Sequence, residues 1–293
     1  MIWDMFNYQL KNRIYLQEST TTHNYHILDN LDDAKLGIIK FNGANNFTIA
    51  VDPIVRKRYI ATEAMIQLLN IKFASMTKLF CQFPSSNQQA INLFKLFAPA
   101  TKHKDITKFI FHKHTYNNIS WRDFYLTRIK QFNRCFIREP SQEPQQQLYC
   151  ESCQLTAAET DIFNRNTLLH PVAKRAWQQM QAAALNDKII LQIISAYRSL
   201  DYQKQLISHK LAKGLLIEEI LRVNTLPGFS EHHTGCAIDI GSPKHPVLES
   251  EFDQSPAFSW LNKNAKKFNF YLSYPKHNNT GITYEPWHWC YQL

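Results

Sequence analysis

Apolar residues recur with two different periods in the C-terminal half of the chain. From Thr167 to Ala184 they fall about 3.6 positions apart, which is the spacing of an amphipathic helix. Ile189 to Ile194 is a short run rich in β-branched residues, which predicts a buried strand. Ser199 is of a type that caps helix N-termini and Lys213-Gly214 is of a type that ends helices, so a second helix is predicted between them.

The alternation of helices and strands continues to the C-terminus. The patterns predict a turn at Pro227-Gly228, strands over Cys236–Ile240 and Tyr284–Tyr291, and a helix over Pro256–Phe268. Strands interleaved with helices predict an α+β fold, in which the helices pack on a small sheet.

The N-terminal half shows the same two periods in shorter runs. Strands are predicted over Arg13–Leu16, Leu36–Phe41 and Asn46–Val51, and helices over Glu63–Leu69 and Gln88–Leu96. A further helix is predicted to begin after Ser120, which acts as its N-cap, and to run through Phe132. These elements predict an α+β domain, and no motif in it indicates a function.

Composition separates the two halves. The segment Glu139–Gln147 is polar, contains two prolines and lacks apolar periodicity, which predicts a linker. Residues 1–150 contain 19 Lys and Arg against 11 Asp and Glu, or +8, whereas residues 151–293 contain 14 against 13, or +1. With 293 residues the chain is long enough for two domains. We therefore predict a basic α+β domain over residues 1–140 and a second domain over residues 150–293.

Composition also excludes several classes of protein. The longest apolar runs, such as Ile189-Ile190-Leu191, are too short to cross a bilayer, which excludes a transmembrane segment. The chain has 7 glycines and no Gly-x-Gly-x-x-Gly, which argues against a nucleotide-binding loop. Six cysteines are too few for a disulfide scaffold, and Cys150-x-x-Cys153 has no second pair at zinc-ribbon spacing. Because the first residues do not resemble a secretory signal, we expect a cytoplasmic protein.

Basic and aromatic side chains alternate within residues 101–139. Such a pattern can bind single-stranded nucleic acid, an anionic polymer or a lipid surface, because rings stack on bases and cations pair with phosphates. It also fits a solvated helix face over an aromatic core, which is the interpretation that we favour. The basic residues are Lys102, Lys104, Lys108, Lys113, Arg122, Arg128, Lys130, Arg134 and Arg138.

The C-terminal half also contains residues suited to metal chemistry. His232, Asp239 and His288 offer two imidazoles and a carboxylate, and a catalytic zinc takes three protein ligands with one position left open. Asp239 lies in a predicted strand between two isoleucines, where an unpaired carboxylate is costly. Glu285 precedes His288 by three residues and is a candidate general base. Residues three apart on an ideal strand point to opposite faces, so this arrangement requires a kink, for which Pro286 is suited.

Three segments of this half together resemble one family. Ser230, His232, Gly235, Ala237 and Asp239 match the pattern Ser-x-His-x-x-Gly-x-Ala-x-Asp without insertion or deletion. Residues 195–199 match Ser-x-Tyr-Arg-Ser, and residues 285–288 match Glu-x-Trp-His. In this order, the three motifs resemble those of the VanY-type D-alanyl-D-alanine carboxypeptidases, a family of zinc peptidases. The resemblance covers the second predicted domain and leaves residues 1–140 unassigned.

The resemblance implies a reaction. His232, Asp239 and His288 would hold Zn²⁺, and Glu285 would take a proton from the attacking water and pass it to the leaving amine. The substrate implied is the stem peptide of peptidoglycan, from which a terminal D-alanine is removed across a D,D or an L,D bond.

The resemblance also implies how the substrate is held. Arg198 would contact the substrate or stabilise the oxyanion, since a guanidinium forms paired hydrogen bonds with carboxylates. Ser230 and Tyr197 are expected beside the substrate. One position departs from the pattern, because many members carry an arginine where this chain has Cys290. We expect this cysteine to be a buried thiol that fills space in a strand.

Two other functions remain open on the sequence alone. The chain could be an endopeptidase of the same fold, which cuts inside the stem peptide. It could also be an anion-binding or nucleic-acid-binding protein whose peptidase-like domain is inactive.

Overall fold

The computed structural model describes residues 12–55, 59–116, 120–136 and 147–292. These residues belong to two compact units, Lys11–Tyr125 and a second unit that begins at Leu126 and reaches the C-terminus. The helix Trp121–Asn133 contains the division between them. The predicted linker, except for its last residue, lies outside the described residues, so the boundary near residue 140 stays a prediction.

The N-terminal unit contains two antiparallel sheets. Strands β1 to β4 form a meander in the order β1-β2-β3-β4, and β5 to β7 form a sheet in the order β5-β7-β6. The elements are β1 (Ile14–Glu18), β2 (Tyr25–Asp29), β3 (Lys35–Phe41), β4 (Phe47–Val51), α1 (Ile60–Lys72), β5 (Lys78–Pro84), α2 (Gln88–Phe94), β6 (Ala100–His103) and β7 (Ile106–His112). The helix at the division is α3 (Trp121–Asn133).

Aromatic side chains form much of the core of this unit. The ring of Phe94 lies 6.1 Å from Phe47, 5.7 Å from Phe109 and 5.9 Å from Phe111, measured between centroids. Trp121, at the start of α3, is also buried. Phe109, Phe111 and Trp121 belong to the stretch in which basic and aromatic residues alternate. Because these rings are buried, they are not exposed for stacking on bases, which favours the interpretation of a solvated basic face over an aromatic core.

The C-terminal unit is built on a four-stranded antiparallel sheet in the order β10-β11-β13-β12. A hairpin, β8-β9, precedes it. The elements are β8 (Thr156–Thr160), β9 (Asn166–Leu169), α4 (Pro171–Asn186), β10 (Gln192–Ser195), α5 (Leu200–Ala212), α6 (Ile217–Val223), β11 (Ala237–Gly241), α7 (Pro256–Asn264), β12 (Phe270–Leu272) and β13 (His288–Tyr291). The mixed α+β class predicted from the sequence is confirmed.

The first predicted helix of this unit begins later than expected. Residues 167–169 pair with β8 as part of β9, and α4 begins at Pro171. Proline suits the first turn of a helix, because a backbone N–H at that position would have no partner within the helix. The Nδ1 atom of His170 caps the helix by accepting a hydrogen bond from the backbone N–H of Val172, at 3.3 Å. The apolar residues of β9 fit either period, which is why the sequence pattern extended the helix over them.

The second predicted helix is confirmed at both ends. The hydroxyl of Ser199 accepts a hydrogen bond from the backbone N–H of Tyr202, at 3.0 Å, and so caps α5. The helix ends at Ala212, and Gly214 has a φ of 86°, a conformation that glycine adopts without steric cost. Among the described residues, no helix has both the length and the apolar character needed to cross a membrane.

Candidate metal centre

The sheet register brings two of the predicted ligands together. Asp239, in the middle of β11, lies directly opposite His288, the first residue of β13. On its other side Asp239 lies opposite Ser195, the last residue of β10 and the first of the Ser-x-Tyr-Arg-Ser motif. Residues opposite each other on antiparallel strands have side chains within contact range. The three motifs of the sequence therefore meet on the neighbouring strands β10, β11 and β13.

The third predicted ligand lies on a single 3-10 turn, Glu231–Thr234, that leads into β11. Gly235 ends this turn with a φ of 69°. A Cβ atom at this position would lie 2.9 Å from Leu155 Cδ2 and 3.0 Å from the backbone nitrogen of His170. The glycine of the motif is thus required both by its backbone conformation and by space, and it turns His232 back towards Asp239.

The three side chains converge and are buried. Ligand atoms of His232, Asp239 and His288 all lie within 4.8 Å of one another. The Nε2 atom of His232 is 3.2 Å from Asp239 Oδ2, and the Nδ1 atom of His288 is 3.0 Å from Asp239 Oδ1. Their exposed fractions are 0%, 5% and 2%, so water does not screen the charges.

The hydrogen bonds of His232 determine which ring nitrogen carries a proton. Its Nδ1 atom lies 2.6 Å from the carbonyl oxygen of Ala196, to which it must donate. Burial, together with the nearby charge of Arg198, lowers the pKa of His232 to about 4, so the ring is neutral at neutral pH. Its Nε2 atom then carries a lone pair, and it has no hydrogen-bond partner within the described part of the chain. A lone pair aimed at the Asp239 carboxylate is a position for a cation.

His288 is held between two carboxylates. Its Nε2 atom lies 2.9 Å from Glu231 Oε2, and its Nδ1 atom faces Asp239. Burial alone lowers the pKa of His288, but its hydrogen bonds to Asp239 and Glu231 outweigh this effect and raise the pKa to about 10. Burial alone raises the pKa of Asp239, but the hydrogen bond and the charge of His288 hold it well below its usual range.

A β-turn places Glu285 beside His288. The backbone N–H of His288 donates to the carbonyl of Glu285 at 3.1 Å, and Pro286 occupies the second position of this turn, where proline is favoured. The prediction of a strand over Tyr284–Tyr291 is therefore wrong for its first four residues, since β13 begins at His288. The turn provides the kink that the sequence required, and Glu285 Oε2 lies 3.9 Å from His288 Nδ1.

The Glu285 carboxyl is suited to proton transfer. Burial raises the pKa of Glu285 to about 7, although the nearby charges of His288 and Arg198 oppose the shift. A carboxyl whose pKa lies near the working pH can both accept and return a proton.

A cleft opens onto this cluster. Arg198 and Ser230 line it, together with Glu285 and the two histidines His232 and His288. The remaining lining residues are Gln203, Val223, Asn224, Thr225, Tyr274 and Ile282.

Two residues named from the sequence lie elsewhere. The hydroxyl of Tyr197 donates to Glu151 Oε1 at 3.1 Å, and Tyr197 is not among the lining residues, so its contact with substrate stays a prediction. Cys290 is buried in β13 and likewise does not line the cleft. The structure thus agrees with the expectation that this thiol fills space.

The neighbouring histidine is not directed at the cluster. His233 is fully buried, its Nδ1 atom donates to the carbonyl of Arg198 at 2.6 Å, and its Nε2 atom accepts from the backbone N–H of Gly228 at 3.1 Å. Burial lowers the pKa of His233 to about 3. Both nitrogens are used by the backbone, and the side chain joins the Arg198 segment to the Pro227-Gly228 turn.

Sequence reasoning missed two residues of the site. Glu231, an intervening position of the His232 motif, is a buried carboxylate bonded to His288. Tyr274 lines the cleft with its ring centroid 4.8 Å from that of His288. The only sequence signal was the position of Glu231 next to a predicted ligand, and Tyr274 had none.

Comparisons with known proteins place this region in a family. A family model described as "VanY: D-alanyl-D-alanine carboxypeptidase" matches residues 166–293. The bifunctional D-Ala-D-Ala dipeptidase and D-Ala-D-Ala carboxypeptidase VanXYC of Enterococcus gallinarum is 32% identical over 133 residues, which are 44% of this chain and 69% of that protein. The chain belongs to the VanY family.

Other known proteins match over a similar region. YodJ of Bacillus subtilis (strain 168) is 35% identical over 123 residues, which are 41% of this chain and 44% of YodJ. The chain therefore spans less than half the length of that relative. A solved vancomycin resistance D,D-pentapeptidase VanY, in complex with Zn(II), is 24% identical, with a TM-score of 0.37, covering 47% of this chain and 79% of that one.

Proposed function

We propose that the C-terminal unit is a zinc-dependent carboxypeptidase that removes a terminal D-alanine from peptidoglycan stem peptides. The proposal rests on one observation above all. The Nε2 atom of His232 faces the Asp239 carboxylate beside Nδ1 of His288, and both histidines line a cleft together with Glu285. The membership of the VanY family supports the choice of substrate.

The donor set fits zinc. Two imidazoles and one carboxylate are a ligand set of catalytic zinc sites, which leave one position open for water or substrate. The buried Nε2 atom of His232 has no other partner among the described residues, and a cation there would remove the repulsion between its lone pair and the carboxylate. The Nδ1 proton of His288 would leave when the ion enters, as ligand deprotonation requires.

Zinc, when bound, supplies a Lewis acid that lowers the pKa of water and polarises a carbonyl. Glu285 provides the proton transfer. Its carboxylate, beside His288 and facing the cleft, takes a proton from the attacking water and delivers it to the amine of the departing D-alanine.

Arg198 binds the substrate. It lines the cleft, and its Nε atom has no hydrogen-bond partner within the described residues. A guanidinium so placed can pair with the terminal carboxylate or with the oxyanion, and one such donor contributes about 3–4 kcal/mol in the transition state. Ser230 offers a hydroxyl to the same cleft.

Product analysis tests the proposal. We expect the zinc-loaded protein to release free D-alanine from a synthetic stem peptide, detected by mass spectrometry, and to lose this activity in the presence of a chelator. Release from a pentapeptide indicates a D,D bond and release from a tetrapeptide an L,D bond. Cleavage of a cross-linked dimer into larger fragments, without free D-alanine, would instead indicate the endopeptidase. No hydrolysis of any of these substrates would contradict the proposal.

A further inference from the structure

Glu231 is a buried carboxylate that sequence reasoning left without a role. It is 8% exposed, and its side chain accepts hydrogen bonds from residues that are distant in sequence. Its Oε2 atom accepts from the Nε2 atom of His288 at 2.9 Å and from the Ser273 hydroxyl at 2.5 Å. Its Oε1 atom accepts from the Tyr149 hydroxyl at 3.0 Å. Both oxygens are therefore fixed in place by donors.

The position of Glu231 links the two histidines. Glu231 directly precedes His232 on the same 3-10 turn, yet its side chain reaches His288 at the start of β13. A single turn therefore supplies one imidazole of the cluster and holds the other.

The contact fixes the tautomer of His288. An ionised carboxylate only accepts hydrogen bonds, so the Nε2 atom of His288 must carry the hydrogen. A neutral ring then has its lone pair on Nδ1, the atom that lies 3.0 Å from Asp239. In His232 the assignment is reversed, because Nδ1 donates to the Ala196 carbonyl and Nε2 faces Asp239. The two rings thus present different nitrogens to the same point.

We propose that Glu231 is a positioning residue, which holds His288 as the Nε2–H tautomer and directs its Nδ1 atom at the metal. This inference rests on the proposed metal centre and deepens it. Partners of this kind orient metal-ligating histidines and raise their basicity, and their loss typically weakens metal binding by about 10–100-fold. If Glu231 only stabilised its turn, neither the tautomer of His288 nor the affinity for the metal would depend on Glu231.

The tautomer can be tested on the unaltered protein. We expect long-range ¹H–¹⁵N correlation spectra of the zinc-loaded protein, labelled at histidine, to show His288 protonated at Nε2 and ligated at Nδ1. The spectra should show the opposite pattern for His232. A His288 ring that is protonated at Nδ1 and ligated at Nε2 would overturn the inference. This measurement does not depend on whether any variant folds.

Metal affinity provides the second test. We expect Glu231→Ala to weaken Zn²⁺ binding by about 100-fold and Glu231→Gln by about 10-fold, measured by competition with a chromophoric chelator. Tyr149→Phe is the matched control, because it removes a donor to the same carboxylate while leaving the bond to His288. Its affinity should stay within about threefold of the unaltered protein. Thermal unfolding monitored by circular dichroism checks that each variant is folded.

The outcomes separate this inference from the proposed function. Tight zinc binding by the unaltered protein together with equal affinity of Glu231→Ala would overturn the inference alone. Failure of the unaltered protein to bind Zn²⁺ or Co²⁺ would overturn the metal centre and the inference together. A weakened Glu231→Ala with an unchanged Tyr149→Phe supports both.

Discussion

Both units of the protein bury carboxylates, and Glu63 and Asp239 differ in the partners that face them. In the N-terminal unit, Glu63 of α1 is fully buried and receives hydrogen bonds from Arg13, through the backbone N–H at 2.9 Å and through Nε at 3.0 Å. In the C-terminal unit, Asp239 is also buried, but it faces two imidazoles, and the nitrogen nearest its Oδ2 atom carries a lone pair.

The difference shows what marks a functional site. Burial raises the pKa of Glu63 even against the charge of Arg13, yet all of its partners come from within the fold. Asp239 and His232 instead present acceptor atoms to one another, and a cation is needed to stabilise that contact. Burial of an acid therefore does not identify a site, whereas a buried lone pair directed at a carboxylate does.

The largest expected effect is the loss of metal by His232→Ala. Removing one of three ligands should abolish the binding of a full equivalent of Zn²⁺, measured by elemental analysis after dialysis. His233→Ala is the matched control, since this neighbouring ring bonds only to backbone atoms in the structure and should affect stability rather than metal content. Retention of one equivalent by His232→Ala would contradict the ligand assignment.

Glu285→Ala should separate chemistry from metal binding. We expect zinc content to remain at one equivalent, while kcat for stem-peptide hydrolysis falls by about 10²–10⁴-fold, the usual contribution of a general base. Stopped assays with product detection by mass spectrometry would measure this decrease. Turnover at the normal rate would show that another group moves the proton.

The buried ion pair of the N-terminal unit should matter for stability alone. Glu63→Ala leaves Arg13 without its carboxylate and should lower the free energy of unfolding by about 3 kcal/mol, at the low end of the range because Arg13 keeps 11% exposure. Denaturant titration measures this change, and Glu18→Ala, at a half-exposed position of β1, is the control. A loss of zinc affinity in Glu63→Ala would show that this carboxylate also supports metal binding, which contradicts a role in stability alone.

The smallest effect is expected from Ser199, a polar residue next to the site. Its hydroxyl already accepts a hydrogen bond from the backbone N–H of Tyr202. Ser199 adjoins Arg198 but caps α5. Ser199→Ala should cost about 1 kcal/mol of stability and leave zinc affinity unchanged, whereas Ser199→Asp should retain the cap. Equal stability of the alanine and aspartate variants in thermal unfolding would argue against the capping role.

Local features of the sequence predicted the parts of the fold that depend on local physics. The cap at Ser199 and the end of α5 before Gly214 each involve residues within a few positions of one another. The convergence of the three motifs was predicted from their resemblance to a family rather than from their spacing.

Other features depended on tertiary contacts that no local pattern encodes. Glu231 and His288 are 57 residues apart, and their contact follows from the register of β11 and β13. The β9 strand was predicted as helix because its apolar residues fit both periods, and only its pairing with β8 decides between them. Tyr197 was placed beside the substrate by its motif, whereas the structure shows its hydroxyl bonded to Glu151.

Anomalous diffraction at the zinc edge, from crystals of the protein grown with one equivalent of Zn²⁺, tests the central claim most directly. We predict a single strong peak within bonding distance of His232 Nε2, His288 Nδ1 and an oxygen of Asp239. A zinc peak bound by other residues, or no peak between these three side chains, would contradict the metal centre on which the proposed hydrolysis depends.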